Sequence, residues 1–503
     1  MKRTLFAKLA KLHIITPGGL FNLTKCFIGD GISIMALMRF SAKYYPDRCA
    51  LVSDGRRFSY REMYEYADRL TKLLFTDYGL KAGMSVGLLC RNHVMLTLLL
   101  PALSRLGVRV KLMNTDMASG KVDDLVKKNN LDLLIFDTEL KETRIPKGLS
   151  CTMIKTEDLY AEVFDEKWAF DVTVPHVKRG GELSVFTGGS SGNHKEAPRK
   201  MHISQYLPPL FALLEEINID EYDSVFLPLP VYHGFGLCTL IISFLMGKKV
   251  CLMNHFDADE ALKIIADEKI EVLPLVPAML ARLWQTDNAA VSMRTVKCII
   301  SGGDRLDRKW IDVTNEHLGN VIFNLYGTSE AGFFMLASPE YLMKNKEVTI
   351  GRPIHGVECK VENVDSEGNG ELWVRSGWAM ISMKNKWQNT GDLVYCNAEG
   401  YYFYRGRTDN MVVCGGENVY PENVERVING HTDVTNSQVF AAYDVQYGTV
   451  LNAKVALRPD STSTSGEIKE WLRPRLSRAE MPHDISITPI SLTETGKTKR
   501  HKS

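Results

Sequence analysis

Several short segments carry residues suited to a phosphate-bearing ligand. Thr187-Gly188-Gly189-Ser190-Ser191-Gly192-Asn193-His194-Lys195 follows the apolar run Leu183-Ser184-Val185-Phe186. Glycines let backbone N–H groups approach oxygens closely, and a lysine adds a point charge. The same composition also makes a plain surface turn. No Gly-Lys-Ser/Thr closes the loop, so it is not a Walker A sequence. Farther along stand Tyr326-Gly327-Thr328-Ser329-Glu330, Thr390-Gly391-Asp392, and Gly406-Arg407-Thr408-Asp409. Gly415-Gly416-Glu417-Asn418-Val419-Tyr420-Pro421 follows, and the chain closes on Thr493-Glu494-Thr495-Gly496-Lys497.

In this order the motifs resemble the adenylate-forming superfamily of acyl-CoA synthetases, peptide-synthetase adenylation domains and luciferases. Each motif is weakly specific alone, and the ordered set is very specific. The resemblance covers nearly the whole chain. It implies ATP, Mg²⁺ and coenzyme A as cofactor and co-substrates, and a carboxylic acid as substrate. Thr187, Ser190, Ser191, Gly192 and Lys195 are implied to hold the β- and γ-phosphates. His194 and Glu196 depart from the family pattern, which has proline and glycine there.

Thr328 is implied to meet the α-phosphate. Glu330 is the metal candidate, because magnesium takes hard oxygen ligands and keeps several waters. Tyr326, with Gly327 after it, would stack on adenine opposite Gly302, Gly303 and Asp304. Asp392 suits the ribose hydroxyls, or is a turn aspartate after glycine. Arg407 can donate to ribose or phosphate, and Asp409 matches the family's hinge. Residues 227–234 resemble the segment lining the acyl site, where His233 stands beside the carboxylate or serves as a structural histidine. Gly302, Ala331 and Gly332 are further acyl-pocket candidates; Phe333 suits the pocket or core packing equally. Lys497 matches the lysine that bridges carboxylate and α-phosphate. Rotation about Asp409 would withdraw it and bring Gly415 and Gly416 to a pantetheine arm.

Those residues need a scaffold. A chain of 503 residues exceeds one ordinary core. An apolar share of 45% and a charged share of 24% fit a globular enzyme. The net charge of +1 gives no overall attraction to nucleic acid. Ten cysteines without C-x-x-C spacing read as buried apolar residues or idle thiols. The basic, amphipathic start of the chain lacks the uncharged run of a signal peptide and reads as a packed helix or a peripheral membrane contact. Residues 225–247 lack acids, lysines and arginines, but Pro228, Pro230 and His233 break them into strand, loop and buried helix. A cytoplasmic setting follows, with contact at a membrane surface and a homodimer both left open.

Ser59 and Glu62 have capping-box spacing, and Met63, Tyr66, Ala67, Leu70 and Leu74 recur at helical spacing. Strand-like runs at 86–90, 108–113, 131–137, 250–253, 271–276 and 296–300 alternate with helical stretches. That pattern predicts layered α/β units with largely parallel strands. Strands at 358–364, 370–374 and 401–404 predict a smaller β-rich subdomain. A compact α+β module begins at Met411, with a helix at 466–476. The resulting division is an N-terminal adenylation domain at 1–406, a hinge at 407–409 and a mobile C-terminal lid at 410–503. The reading is a fatty-acyl-CoA ligase, on the resemblance of residues 90–93, 112–115 and 324–330 to bacterial members. The alternatives are a CoA ligase for an aryl or other non-fatty acid, an enzyme loading a carrier protein, or a non-catalytic nucleotide-binding scaffold.

Overall fold

The computed structural model describes all residues except 1–2, 116, 118, 142–144, 146–147, 166–171, 188–194, 201–206, 329, 411, 415–416, 445–447 and 491–503. Alternating strands and helices form two layered sheets, as the hydrophobic pattern predicts. The first has six strands, with Leu133–Phe136, Ser85–Leu89, Arg109–Leu112 and Glu182–Thr187 parallel at its centre. Thr152–Lys155 adds a parallel edge strand. Lys195–Lys200 returns antiparallel on the other edge, with Thr187 paired to Lys195.

The second sheet has nine strands. Ile322–Thr328, Cys298–Gly302, Val272–Leu275, Ser224–Leu227, Lys249–Leu252 and Cys49–Ser53 lie parallel in that spatial order. After Ser224–Leu227 the chain moves one way to Lys249–Leu252. It then returns to Val272–Leu275 on the opposite flank and continues outward. That reversal is a topological switch point, and it opens a crevice beyond the carboxyl ends of the strands.

A helical layer joins the sheets. Helices Ile34–Tyr44, Tyr60–Thr76 and Val94–Leu106 pack on one another, and Gly234–Leu245 packs on the first of them. Every residue of the mostly apolar helix Val94–Leu106 is buried, including Thr97, Ser104 and Arg105. Ser59 and Glu62 form the expected capping box at the start of Tyr60–Thr76. Residues 225–247 resolve into strand Ser224–Leu227, a loop and the buried helix Gly234–Leu245. Among the described residues no helix is long and apolar enough to cross a membrane.

Strands Val357–Glu362, Gly370–Ser376, Gln388–Cys396 and Tyr402–Arg407 form an antiparallel sheet. Its core of Leu372, Val374 and Val394 is shared with Ala331 and Phe334. The last module has its own core. Helices Pro421–Asn429 and Ser465–Leu472 cover strands Val434–Asp444, Gly448–Leu457 and Asp484–Ile487, burying Val424, Ile428, Val455, Ile468 and Leu472. Thr464 caps its second helix through a second capping box with Glu467.

Asp137 anchors the loop 90–93 beside the first sheet. Its carboxylate accepts from Arg91 N at 2.7 Å and from Thr156 Oγ1 at 2.8 Å, and pairs with His93 Nε2 at 2.8 Å. His93 Nδ1 accepts from Leu96 N at 3.4 Å and caps helix Val94–Leu106, which leaves the proton on Nε2. Burial alone would raise the Asp137 carboxyl, but the His93 hydrogen bond, with the Arg91 and Thr156 bonds, holds it below the ordinary value. The folded value lies under the unfolded one of about 3.9. The network's stabilisation is thus complete above that pH and is lost as pH falls through the folded value. Asp137→Asn is expected to lower the urea midpoint at neutral pH and to flatten its decline below about pH 4. An unchanged acid limb would show that the network does not titrate.

Candidate active site

The crevice at the switch point collects residues from strand ends. Strand Cys298–Gly302 ends at Gly302, where a Cβ would lie 2.8 Å from Leu325 O and 3.4 Å from Phe235 Cε1. Only hydrogen at this position lets the neighbouring strand and the start of helix Gly234–Leu245 close up. Gly303 and Asp304 follow, exposed to solvent. Strand Ile322–Thr328 ends beside them with Tyr326, Gly327 and Thr328. Its register with Gly332–Ala337 slips between Tyr326 and Gly327, leaving Phe334 unmatched. Such a bulge re-aims side chains at a strand end. A Cβ on Gly327 would sit 2.5 Å from both Gly332 O and Phe333 Cα.

The Tyr326 hydroxyl donates to Asp392 Oδ2, and the Tyr326 ring meets Phe334 edge-on at 5.2 Å between centroids. Asp392 faces Arg407 across the antiparallel pair Gln388–Cys396 and Tyr402–Arg407. Arg407 Nη1 donates to Asp392 Oδ1 at 3.2 Å and to Thr390 O at 3.3 Å. Thr390 Oγ1 accepts from Asp392 N at 3.1 Å and donates to Leu372 O at 3.0 Å. Burial raises the Asp392 carboxyl above its ordinary value, and the Tyr326 hydroxyl and the Arg407 charge offset only part of that rise. The sequence expectation of a ring for stacking therefore extends to a second role for Tyr326, as a donor to the carboxylate assigned to ribose. Thr390 is a residue that sequence reasoning quoted without a role.

Thr328 Oγ1 accepts from Ala331 N at 3.0 Å, so its own proton can be donated outward. Glu330 is fixed through its backbone, with Met380 N donating to its carbonyl at 2.8 Å. Among the described residues no group of three or more His, Cys, Asp or Glu could hold a metal. A single carboxylate still fits magnesium, which binds through one or two protein oxygens plus phosphates and waters.

His233 begins helix Gly234–Leu245, half-buried, with its ring 4.7 Å from that of Tyr232. The loop before it is clamped from the other sheet by Asn92. Asn92 Nδ2 donates to Leu229 O at 2.8 Å, and Val231 N donates to Asn92 Oδ1 at 2.9 Å, all buried. Sequence reasoning noted residues 90–93 only as a resemblance and missed this clamp. Phe235, beside Gly302, was also missed. Among the other pocket candidates, Gly332 sits on the strand paired with Thr328, and Ala331 is fully buried in the core under the four-stranded sheet. Phe333 O accepts from the buried Trp378 indole at 3.1 Å.

Ser190, Ser191, Gly192, Gly415, Gly416 and Lys497 lie outside the described residues, as do the side chains of Thr187, Lys195 and Asp409. A short helical turn, Thr408–Asn410, follows strand Tyr402–Arg407. Next to it, Arg305 Nη1 donates to Glu422 O at 3.0 Å, joining the crevice to the C-terminal module.

The AMP-binding enzyme family model matches residues 38–382, and that of the AMP-binding enzyme C-terminal domain matches residues 423–497. The chain is similar to the 2-succinylbenzoate–CoA ligase of Bacillus licheniformis, at 24% identity over 92% of this chain and 97% of that protein. The corresponding Staphylococcus aureus protein is 24% identical over 90% and 96%. Among solved structures, the Bacillus subtilis o-succinylbenzoate CoA synthetase with ATP and magnesium ion superposes with a TM-score of 0.78. It is 22% identical, over 92% of this chain and 97% of that one. An anthranilate CoA ligase with anthranoyl-AMP superposes with a TM-score of 0.81, at 20% identity over 93% and 96%. Such likeness establishes a common fold, and the match over 38–382 decides the lineage: the chain belongs to the AMP-binding enzyme family.

Proposed function

We propose that the chain is an ATP-dependent acid–CoA ligase that acts through an acyl-adenylate on an aryl or other non-fatty carboxylic acid. The observation that carries the ligase reading is the Tyr326–Asp392–Arg407 group beside the strand ends bearing Gly302, Gly303 and Thr328. The aryl preference rests on relatives named for 2-succinylbenzoate and anthranilate. The fatty-acid reading rests only on the motifs at 90–93, 112–115 and 324–330, and is the second choice.

A carboxylate is a poor acyl donor because oxide is a poor leaving group. In the first step a substrate carboxylate oxygen bonds to the α-phosphorus of ATP, and pyrophosphate leaves with the electrons of the broken P–O bond. In the second, the sulfur of coenzyme A bonds to the acyl carbon and AMP leaves, the thiol proton being lost. Asp392, oriented by Tyr326 and Arg407, accepts the ribose hydroxyls. Tyr326 and residues 302–304 enclose the adenine, and Thr328 donates to the α-phosphate. Residues 187–195 cradle the outer phosphates. Glu330 supplies an oxygen to magnesium, which when bound neutralises polyphosphate charge. His233 and Phe235 stand where the acid would enter. Residues 1–406 form the adenylation domain, 407–409 the hinge and 410–503 the lid, whose Lys497 serves the first step and Gly415 and Gly416 the second.

A panel of aryl and fatty acids assayed for AMP release with and without coenzyme A tests the reading directly. Turnover of an aryl acid that requires coenzyme A is expected. Turnover confined to long alkyl acids would move the choice to the second reading, and no acid-dependent pyrophosphate exchange would sink both. Asp392→Asn is expected to weaken ATP binding by about 10- to 100-fold, since charged hydrogen bonds contribute about 1.5–3 kcal/mol. Calorimetric titration measures this, and unchanged affinity would remove Asp392 from the nucleotide site. Lys497→Ala should abolish adenylation yet spare transfer from supplied acyl-adenylate, and Gly416→Leu should do the reverse. Equal loss of both half-reactions in either variant would refute the division between two faces of the lid.

A further inference from the structure

The first 45 residues hold seven of the chain's 61 lysines and arginines but one of its 60 acids, Asp30. This stretch thus carries +6, against +1 for the whole chain. Residues 1–37 also precede the part that the family model matches. Helix Arg3–Lys11 packs onto the body of the protein. Leu5, Leu9 and Leu12 are buried, and Lys8 and Lys11 pair with Asp220 at 3.2 and 3.5 Å.

The next helix, Pro17–Asp30, is different. Gly19, Cys26 and Asp30 face inward, and the helix packs on Ile34–Tyr44. Its outer side is apolar as well. Leu20, Phe21 and Ile28 are 50%, 60% and 71% exposed. With Thr24 they occupy positions i, i+1, i+4 and i+8, a single stripe on a helix. The Thr24 hydroxyl donates to Leu20 O at 2.8 Å, so the one polar group in the stripe is satisfied within its own helix. The stripe is edged with cations. The Lys25 ammonium lies 4.6 Å from the Phe21 ring centroid, and Lys43 Nζ donates to Asn22 Oδ1 at 2.6 Å; both lysines are exposed. An apolar helical face bordered by lysines is the arrangement that lies in a lipid interface, with chains buried and ammonium groups at headgroup level.

We infer that the outer face of helix Pro17–Asp30 docks on an anionic lipid surface. The occupant is a bilayer because the exposed Lys25 and Lys43 beside the stripe are complementary to acidic headgroups and opposite in sign to the chain beyond residue 45, whose net −5 would repel them. Docking on this side sets the body at the interface without inserting it, and it is independent of the ligase reading.

Vesicle co-sedimentation of the full chain tests this. Vesicles of phosphatidylcholine with about 30 mole per cent phosphatidylglycerol should bind it, and phosphatidylcholine alone should bind at least about tenfold more weakly. The triple variant Leu20→Ser, Phe21→Ser, Ile28→Ser should lose at least about tenfold in partitioning, with its melting midpoint reporting the fold. Should that variant fail to fold, Lys25→Glu with Lys43→Glu gives the same reading from the charge side. The inference is overturned if the wild-type chain does not sediment with anionic vesicles, or if neither set of substitutions changes its partitioning. It is equally overturned if sedimentation velocity shows that the stripe pairs two copies of the chain and the triple variant only separates them.

Discussion

The buried carboxylate of Asp392 is the constraint around which the site is arranged. It sits on the four-stranded sheet, yet one of its oxygens is held by Tyr326 of the nine-stranded sheet. The other meets Arg407, the last residue of the strand before the C-terminal module. One charge thus ties two neighbouring strands of the four-stranded sheet to a strand of the other sheet. Desolvation disfavours that charge, and it persists because its partners are themselves fixed. Thr390 turns the strand beneath it, and Phe334 backs the Tyr326 ring. A carboxylate so braced presents its remaining lone pairs in a set direction, which is what recognition of a vicinal diol requires.

The parallel sheet supplies the other half of the geometry. Its strand order reverses beside Ser224–Leu227, so the loops on either side diverge and leave a crevice. Divergent loops need an outside support, and Asn92 gives it. Its amide satisfies a buried carbonyl and a buried N–H of residues 229 and 231, which strand pairing cannot reach. Asn92 is itself placed by a short segment whose neighbours Arg91 and His93 are fixed on Asp137. The position of His233 therefore depends on a carboxylate in the other sheet.

Much of the scaffold was legible in the sequence because it depends on local patterns. The Ser59–Glu62 capping box and the helix behind it appear as read. So do the parallel strands, within one or two residues at their ends. Strand Gln388–Cys396 was not recognised. Its first half, Gln388-Asn389-Thr390-Gly391-Asp392, has no apolar alternation, and its Thr390 and Asp392 side chains make hydrogen bonds rather than pack in a core. Likewise the helix read at 466–476 ends at Leu472, four residues early, where the chain turns towards Asp484–Ile487. The motif residues Tyr326, Asp392 and Arg407 could be singled out by type, but not their mutual bonds. The Asp392–Arg407 bond follows from the register of two neighbouring strands, and the Tyr326–Asp392 bond from how two sheets sit against each other; no periodicity encodes either. Asn92 was opaque for the same reason: its partners lie 137 and 139 residues downstream.

The C-terminal module bears on whether one cleft can serve two reactions. Its apolar residues close on themselves, with Val424, Ile428, Val455 and Leu472 in a cluster separate from the main core. Among the described residues, its hydrogen bonds and ion pairs to the body include two from arginines. Arg305 donates to a backbone carbonyl of helix Pro421–Asn429, and Arg426 approaches Glu347 at 3.9 Å with both side chains partly exposed. Exposed pairs of this kind contribute about 0–1 kcal/mol. Parting such an interface rehydrates charges without opening a hydrophobic core, so alternative placements of the module can lie close in free energy. A lid that must offer one face for adenylation and another for thioester formation needs that near-equality. A self-contained core tied to the body through arginine contacts is the arrangement that the proposed two-step scheme would need.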